Sequence, residues 1–286
     1  MTMTVQTGNE DRSIMNSIPT TTTDAAMVCL DVDGTIVNHD GQMSEAVREA
    51  ARAVVEAGHR VVIATGRSLG AALPVAKSLG IHTGHVVCAN GGVTARLDPS
   101  LPEGYEITDR RSFDPRPALL ALRDVLPAAK YAVETVDGDF LSTERFQDAS
   151  FGAPARGVPF EELSAAHAVR LVVFSTDSTA EEFGVAVESI GLHGVTYSVG
   201  WTAWLDIAAR GVTKASGLEA LRAELGVERE ATVAVGDGRN DIEMLGWAHR
   251  GVAMGQAPEE VKIAANEVTG GVDEDGLVPV LRSLIG

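Results

Sequence analysis

The chain has 286 residues, 45% of them hydrophobic, with 23 Lys and Arg against 40 Asp and Glu and a formal net charge of −17. That apolar content supplies one large core or two ordinary ones without help from disulfides, while the acidic excess opposes binding to nucleic acid or to anionic membrane surfaces. No apolar run approaches the roughly 20 residues needed to cross a bilayer, so a soluble protein is expected, and any anionic substrate must be met by a local positive site.

Residues 1–24 are polar, with Thr20 to Thr23 in a row, and lack the apolar centre of a signal peptide. They read as a disordered leader. The first apolar run, Met27 to Leu30, ends in Asp31-Val32-Asp33-Gly34-Thr35. Two carboxylates two residues apart in an extended segment start from the same face and repel unless a proton or a cation intervenes. A hard divalent cation with oxygen ligands, Mg²⁺ in particular, answers that repulsion. Asp31 is then placed to attack phosphorus, and Asp33 to protonate a leaving alcohol and activate water. Read alone, Asp-x-Asp-Gly is equally a plain turn or a weak calcium loop.

Ser44 to Ala57 reads as a helix capped by Ser44. Val61 to Ala64 then runs into Thr65-Gly66-Arg67 with a helix from Ser68, where a hydroxyl and approachable N–H groups can hold phosphate oxygens or simply cap the helix. Val86 to Ala89 runs into Asn90-Gly91-Gly92. The only two cysteines, Cys29 and Cys88, sit inside such runs and read as buried thiols in a reducing cytoplasm.

From 94 to 206 the alternation breaks. Tyr131 to Val136 and Phe140 flank Asp137-Gly138, a type I′ hairpin signal. Leu171 to Phe174 reads as a strand, Ser178 to Ile190 as a helix, and Val195, Tyr197, Val199 and Trp201 alternate as a half-exposed strand. The stretch is expected to form an inserted α+β domain.

Lys214 opens a helix reaching Leu225, a poor place for a cation by the helix dipole but a useful one if it neutralises a nucleophile and a phosphoryl group. Thr232 to Val235 runs into Gly236-Asp237-Gly238-Arg239-Asn240-Asp241, where Asp237 can complete a metal's carboxylate set and Asp241, four residues on, can ligate or orient it. Val252 to Met254 ends in Gly255-Gln256. Short runs buried on both faces, alternating with helices, predict a doubly wound, Rossmann-like parallel sheet. Ligands of such sheets bind beyond the carboxyl ends of the strands, where these polar clusters gather.

Together these segments resemble the haloacid dehalogenase-like superfamily, and within it the Cof-like phosphatases with a large α/β cap. Asp31-Val32-Asp33-Gly34-Thr35 is similar to the family's nucleophile motif, Thr65-Gly66-Arg67 to its second, Lys214 to its third and Gly236-Asp237-Gly238-Arg239-Asn240-Asp241 to its fourth. The match extends through Val252-Ala253-Met254-Gly255 to Asp275-Gly276. It departs at Ala215, where glycine commonly follows the lysine, and at Gln256, where asparagine commonly follows Met-Gly. The resemblance implies a core of residues 25–93 and 207–286, a cap of residues 94–206, and a phosphatase acting through a phospho-aspartate on Asp31. It implies Asp33 as acid/base, Thr65, Gly66 and Lys214 on the phosphate, and Mg²⁺ on Asp31, Asp237 and the backbone carbonyl of Asp33. Asp241 and Asn240 support the metal or touch substrate, and Asn90 touches substrate. The expected partner is a small phosphate monoester, a sugar phosphate or similar metabolite. A phosphomutase with the same nucleophile and a catalytically silent binding module stay open at this point.

Overall fold

The computed structural model of the protein describes residues 25–144, 148, 150–200 and 202–285; the expected leader, residues 1–24, and Trp201 fall outside them. The first strand, β1 (Met27–Leu30), is buried along its whole length, with Val28 and Leu30 facing one apolar cluster and Met27 and Cys29 another. A strand covered on both faces needs helices on both sides of its sheet. α1 (Glu45–Glu56) begins where Ser44 Oγ accepts the Val47 N–H, and buries Val47, Ala50, Ala51 and Val54 as one helical stripe. β2 (Arg60–Ala64), α2 (Leu69–Ser78) and β3 (Gly84–Cys88) continue the alternation, and β4 (Val93–Leu97) and β5 (Tyr105–Arg110) follow as an antiparallel meander.

A second sheet then forms from the middle of the chain. Its elements are α3 (Arg116–Val125), β6 (Lys130–Thr135), β7 (Phe140–Ser142), β8 (Arg156–Gly157), α4 (Phe160–Ala165), β9 (Ala168–Phe174), α5 (Ala180–Ile190), β10 (Val195–Val199) and β11 (Trp204–Ala209). The strand order is β10-β11-β9-β6-β7-β8. Leu119 and Leu122 of α3, Leu163 of α4 and Phe183 of α5 cover one face by packing on Val133, Leu171 and Leu205. The opposite face looks toward the core, where Ser68 Oγ donates to Glu134 Oε2 at 2.8 Å.

The chain re-enters the core at α6 (Lys214–Glu224), followed by β12 (Thr232–Gly236), α7 (Ile242–Trp247), β13 (Arg250–Ala253), α8 (Glu259–Ala264), β14 (Glu267–Val268) and α9 (Leu277–Arg282). The core sheet has the order β14-β13-β12-β1-β2-β3-β4-β5 and is parallel from β14 to β3. The expected parallel-sheet core is present. Because β1 is flanked by β2 on one side and β12 on the other, the chain winds away from β1 in both directions. The crevice beyond its carboxyl end is the topological switch point. Among the described residues no helix is long and apolar enough to cross a membrane, and both cysteines are buried and free.

Two local expectations need correction. The insert was expected from Thr94, but β4 and β5 pair onto β3 in the core sheet, so the second sheet and its helices begin after Arg110; at the far end β11 runs three residues past Asp206 to Ala209. Gly91-Gly92 reverses the strand direction and does not end the sheet. The hairpin at Asp137-Gly138 has a longer loop than a type I′ turn. Thr135 N donates to Asp139 O, Gly138 N to Thr135 O, and Gly138 takes φ +91°, the geometry of a three-residue loop with a left-handed glycine.

One close approach ties the two chain segments of the core together. Gly91 sits at φ +95°, and a Cβ built there would lie 2.1 Å from Thr213 O, at the start of α6. Gly91→Ala is therefore expected to lose about 2–4 kcal/mol from combined backbone strain and displacement of α6, read as a drop in the urea midpoint; a loss under about 0.5 kcal/mol contradicts the packing described.

Candidate active site

The parallel pairing of Leu30 with Val235, continued by Asp31 N donating to Val235 O at 3.0 Å, sets the end of β1 beside the end of β12. Asp31, Asp237 and Asp241 consequently each bring a carboxylate oxygen within 4.8 Å of the others, and all three residues are buried. Lys214, at the first turn of α6, has no solvent exposure and reaches in to donate from Nζ to Asp31 Oδ1 at 2.5 Å and to Asp241 Oδ1 at 2.7 Å. The helix itself is capped by Thr213, whose side chain accepts the Ser216 N–H, so the lysine is free to serve the crevice. Asp241 Oδ2 accepts the N–H groups of Asp237 and Gly238 at 3.0 and 2.9 Å, which folds the loop after β12 back on itself. Gly34, at φ +80°, lets the loop after β1 pass so close that a Cβ would lie 2.1 Å from Asp237 Oδ2.

Three buried carboxylates face one ammonium, and Asp31, Asp237 and Lys214 respond to that. Burial, then Asp241, pushes the Asp31 carboxyl well above its usual range against the opposing pull of Lys214. Burial and Asp241 push Asp237 up to about 6, with a hydrogen bond from Gln256 and the Lys214 charge opposing. Burial alone would lower Lys214, but Asp241 and Asp31 outweigh it and hold the ammonium above its ordinary value. A divalent cation relieves this repulsion. Among the described residues no hydrogen bond reaches Asp31 Oδ2 or Asp237 Oδ1, so the crevice has free, hard oxygen donors of the kind Mg²⁺ and its neighbours take.

The side chain that departs from the resemblance at Gln256 bridges the site. Its Nε2 donates to Gly34 O at 2.6 Å and to Asp237 Oδ2 at 3.1 Å, and its Oε1 accepts Val272 N–H at 3.0 Å. The sequence showed Gln256 only as a variation; its longer reach joins three loops.

On the other side of the crevice, Thr65 Oγ1 accepts the Arg67 N–H at 3.1 Å, which leaves its own hydroxyl proton available. Asn90 takes the left-handed conformation, with φ 52°, and its Oδ1 accepts Asn240 Nδ2 at 2.9 Å. Gly66 faces this amide pair, since a Cβ there would lie 3.2 Å from Asn90 Oδ1. The segments after β1, β2, β3 and β12 thus converge with the lysine, as the sequence pattern predicted.

Asp33 is the exception. Its carboxylate was expected beside that of Asp31 in a shared acidic cluster, but it is largely exposed and held by Arg67, Nε to Oδ2 at 2.9 Å and Nη2 to Oδ1 at 2.5 Å. The chain leaves the extended conformation after β1, as the bonds from Ile36 N and Val37 N to Val32 O show, so alternation along a strand no longer fixes where Asp33 points. Arg67 is a functional candidate that sequence reasoning left unnamed although it stands in Thr65-Gly66-Arg67. The arginine is held above its ordinary value chiefly by its hydrogen bonds to Asp33.

Comparison with known proteins gives a consistent likeness. The sequence profile of the haloacid dehalogenase-like hydrolases matches residues 28–281. Phosphatase YwpJ of Bacillus subtilis is 26% identical over 91% of this chain and 99% of its own, and a phosphoglycolate phosphatase of Methanoculleus marisnigri is 28% identical over 88% of this chain and 93% of its own. Among solved structures, the subclass IIB sugar phosphatase BT4131 superposes with a TM-score of 0.75 at 26% identity, covering 91% of this chain and 98% of that one.

The charge balance of the crevice predicts a pH-dependent response to metal. Asp237 has a folded value of about 6 against an ordinary 3.8, so without a cation the stability present while it is protonated is lost as pH rises through that interval. A cation competes with the proton for the same oxygens. Saturating Mg²⁺ is expected to raise Tm by a few degrees at about pH 7.5 and by much less at about pH 5; equal shifts at both contradict the assignment of the acidic cluster as a cation site.

Proposed function

The chain belongs to the haloacid dehalogenase-like hydrolases, and from that premise we propose a Mg²⁺-dependent phosphatase that cleaves a small phosphate monoester through a phospho-aspartate on Asp31. The chain is a phosphatase, the activity by which its full-length relatives are named. The observation that carries the finer reading is Asp31 itself: a buried carboxylate at the switch point, gripped through Oδ1 by Lys214 with Oδ2 uncommitted.

In this reading Asp31 Oδ2 attacks phosphorus while Lys214 holds the other oxygen and limits the charge that accumulates. The Thr65 hydroxyl and the Gly66 N–H receive phosphoryl oxygens at the end of β2. Asp33, carrying a proton, gives it to the departing alkoxide oxygen and later takes one back from the attacking water. Its pairing with Arg67 holds it turned aside, and a phosphate entering beside Arg67 competes for that guanidinium and releases Asp33 to take up the proton that a monoanionic ester brings. Asp241 works from behind: one oxygen steadies Lys214, and the other fixes the backbone that carries Asp237. Asp31, Asp237 and the Asp33 carbonyl would hold a divalent cation, which would supply charge neutralisation for the phosphoryl oxygens. Hard carboxylate donors favour Mg²⁺ over softer metals.

The second sheet sits over this crevice as a cap and shelters it from bulk water. The size of the cavity between cap and core, about 760 Å³, and the acidic surface favour a small, polar ester over a phosphoprotein or a nucleic acid; likeness to a sugar phosphatase supports a sugar phosphate.

Asp31→Asn is expected to cut kcat for p-nitrophenyl phosphate with Mg²⁺ by far more than tenfold, a loss well above ~1.4 kcal/mol in activation free energy, with circular dichroism unchanged and with chelation silencing the wild type to a similar degree. A folded variant that keeps more than about a tenth of the wild-type rate contradicts the covalent role.

A further inference from the structure

The cap sheet turns a row of charged side chains toward the core. Along β6, β9 and β11 the residues Val133, Leu171 and Leu205 belong to the cap's own apolar cluster, so their neighbours Glu134, Arg170 and Asp206 point the other way. Glu134 and Arg170 are opposite each other across the β6–β9 pairing, and Arg170 Nε donates to Asp206 Oδ1 at 2.5 Å. A cavity of about 760 Å³ separates this underside from the core, and its lining includes Arg170 and Asp206 above and Asn90, Lys214 and Asn240 below. The space thus runs from the group that grips Asp31 to the charged pair on the cap.

Neither member of that pair is fully used. The Arg170 side chain is only 3% exposed and lies over the Phe151 ring, yet beyond Nε the hydrogen bonds of its remaining nitrogens to described residues are those to Ser150 Oγ, at 3.4 and 3.5 Å, the outer limit of a hydrogen bond. Asp206 accepts one bond at each oxygen, from Arg170 and from Trp204 Nε1 at 2.9 Å, and each oxygen has a further lone pair. A buried guanidinium with unspent N–H groups gains from a ligand acceptor, and the adjacent carboxylate offers the matching acceptor for a ligand O–H. Charge decides what kind of ligand this is. The cavity lining holds the cations Arg170, Lys214 and Arg239, and each already faces a carboxylate, Asp206, Asp31 and Glu260 respectively. Glu181, Glu188 and Glu243 add further negative charge to the same lining. Among the described lining residues no surplus positive charge waits for a second anion.

We propose that Arg170 and Asp206 are the specificity-determining pair for the leaving group, reading adjacent hydroxyls of a neutral polyol phosphate and rejecting esters that carry a second anionic group. The proposal rests on the phosphatase reading above and narrows its substrate class: a neutral sugar or polyol phosphate is favoured over a phosphorylated carboxylic acid or a bisphosphate.

The test uses the full chain with Mg²⁺ and compares p-nitrophenyl phosphate, a panel of neutral hexose and pentose phosphates, and 6-phosphogluconate, which carries a carboxylate on a hexose skeleton. Wild-type kcat/KM for the best neutral sugar phosphate is expected to exceed that for 6-phosphogluconate by at least about tenfold. Arg170→Met with Asp206→Leu removes both charges together, so that neither is left buried alone. This double variant is expected to lose at least about tenfold more kcat/KM on the sugar phosphate than on the aryl ester, chiefly through KM. Asp206→Asn, which keeps a hydrogen-bonding side chain of the same shape, takes one negative charge away from Arg170 and the cavity and is expected to narrow the discrimination against 6-phosphogluconate by about fivefold or more. A wild type that prefers 6-phosphogluconate overturns the proposal, as does a folded variant of either kind whose substrate ratios stay at the wild-type values. Absence of aryl phosphate hydrolysis in the wild type would instead sink the phosphatase reading on which it rests.

Discussion

An ammonium group cut off from solvent survives in a fold only when its charge is met at short range, and Lys214 meets Asp31 at 2.5 Å and Asp241 at 2.7 Å. Removing one partner of such a buried pair costs on the order of 3–5 kcal/mol, so the three residues hold one another in place across segments far apart in the chain. Much of the architecture follows from keeping them there. β12 must return beside β1 for Asp237 and Asp241 to approach Asp31, and α6 must start with its lysine against Gly91, where no side chain fits. Even so, one ammonium cannot balance three carboxylates. Burial, and then this imbalance, raises the Asp31 and Asp237 carboxyls and suits the crevice to a cation. An acidic protein of net charge −17 can therefore handle an anionic substrate, because the attraction is local and buried where salt screens it least.

Much of the core was legible in the sequence because its strands are short apolar runs whose polar ends stand at the crevice. Met27 to Leu30 and Thr232 to Val235 could be recognised with no knowledge of their neighbours, and the segments carrying Asp31, Thr65, Asn90, Lys214 and Asp237 do meet. What failed to show was whatever depends on chain direction or side-chain reach. Gly91-Gly92 looks the same whether it ends a sheet or reverses a strand, so β4 and β5 were assigned to the insert. The side chain of Asp33 leaves the strand rule as soon as the backbone turns at Val32. Gln256 differs from the commoner asparagine by one methylene, and only the packed loops reveal that this length spans Gly34, Asp237 and Val272.

The cap was the least legible part, since no motif marks it and its strands alternate in a way shared by many α+β domains. Its attachment is nevertheless specific. Ser68 donates its hydroxyl to Glu134 of the cap and its N–H to Ser150 O, so the start of α2 is completed by residues from the other sheet. That arrangement couples the end of β2 to the cap surface that faces the crevice. In the reaction proposed above, binding energy gathered on the cap from parts of the substrate remote from phosphorus would then help position the phosphoryl group against Asp31.

The covalent step at Asp31 is the claim from which the mechanism takes its order, and chemical trapping tests it directly. Rapid mixing with a turnover substrate and Mg²⁺, followed by borohydride, reduces an aspartyl phosphate to homoserine, and peptide mass spectrometry locates the change. The account predicts homoserine at position 31, dependent on both substrate and metal. Homoserine at another aspartate, or none at any residue while turnover proceeds, would contradict it.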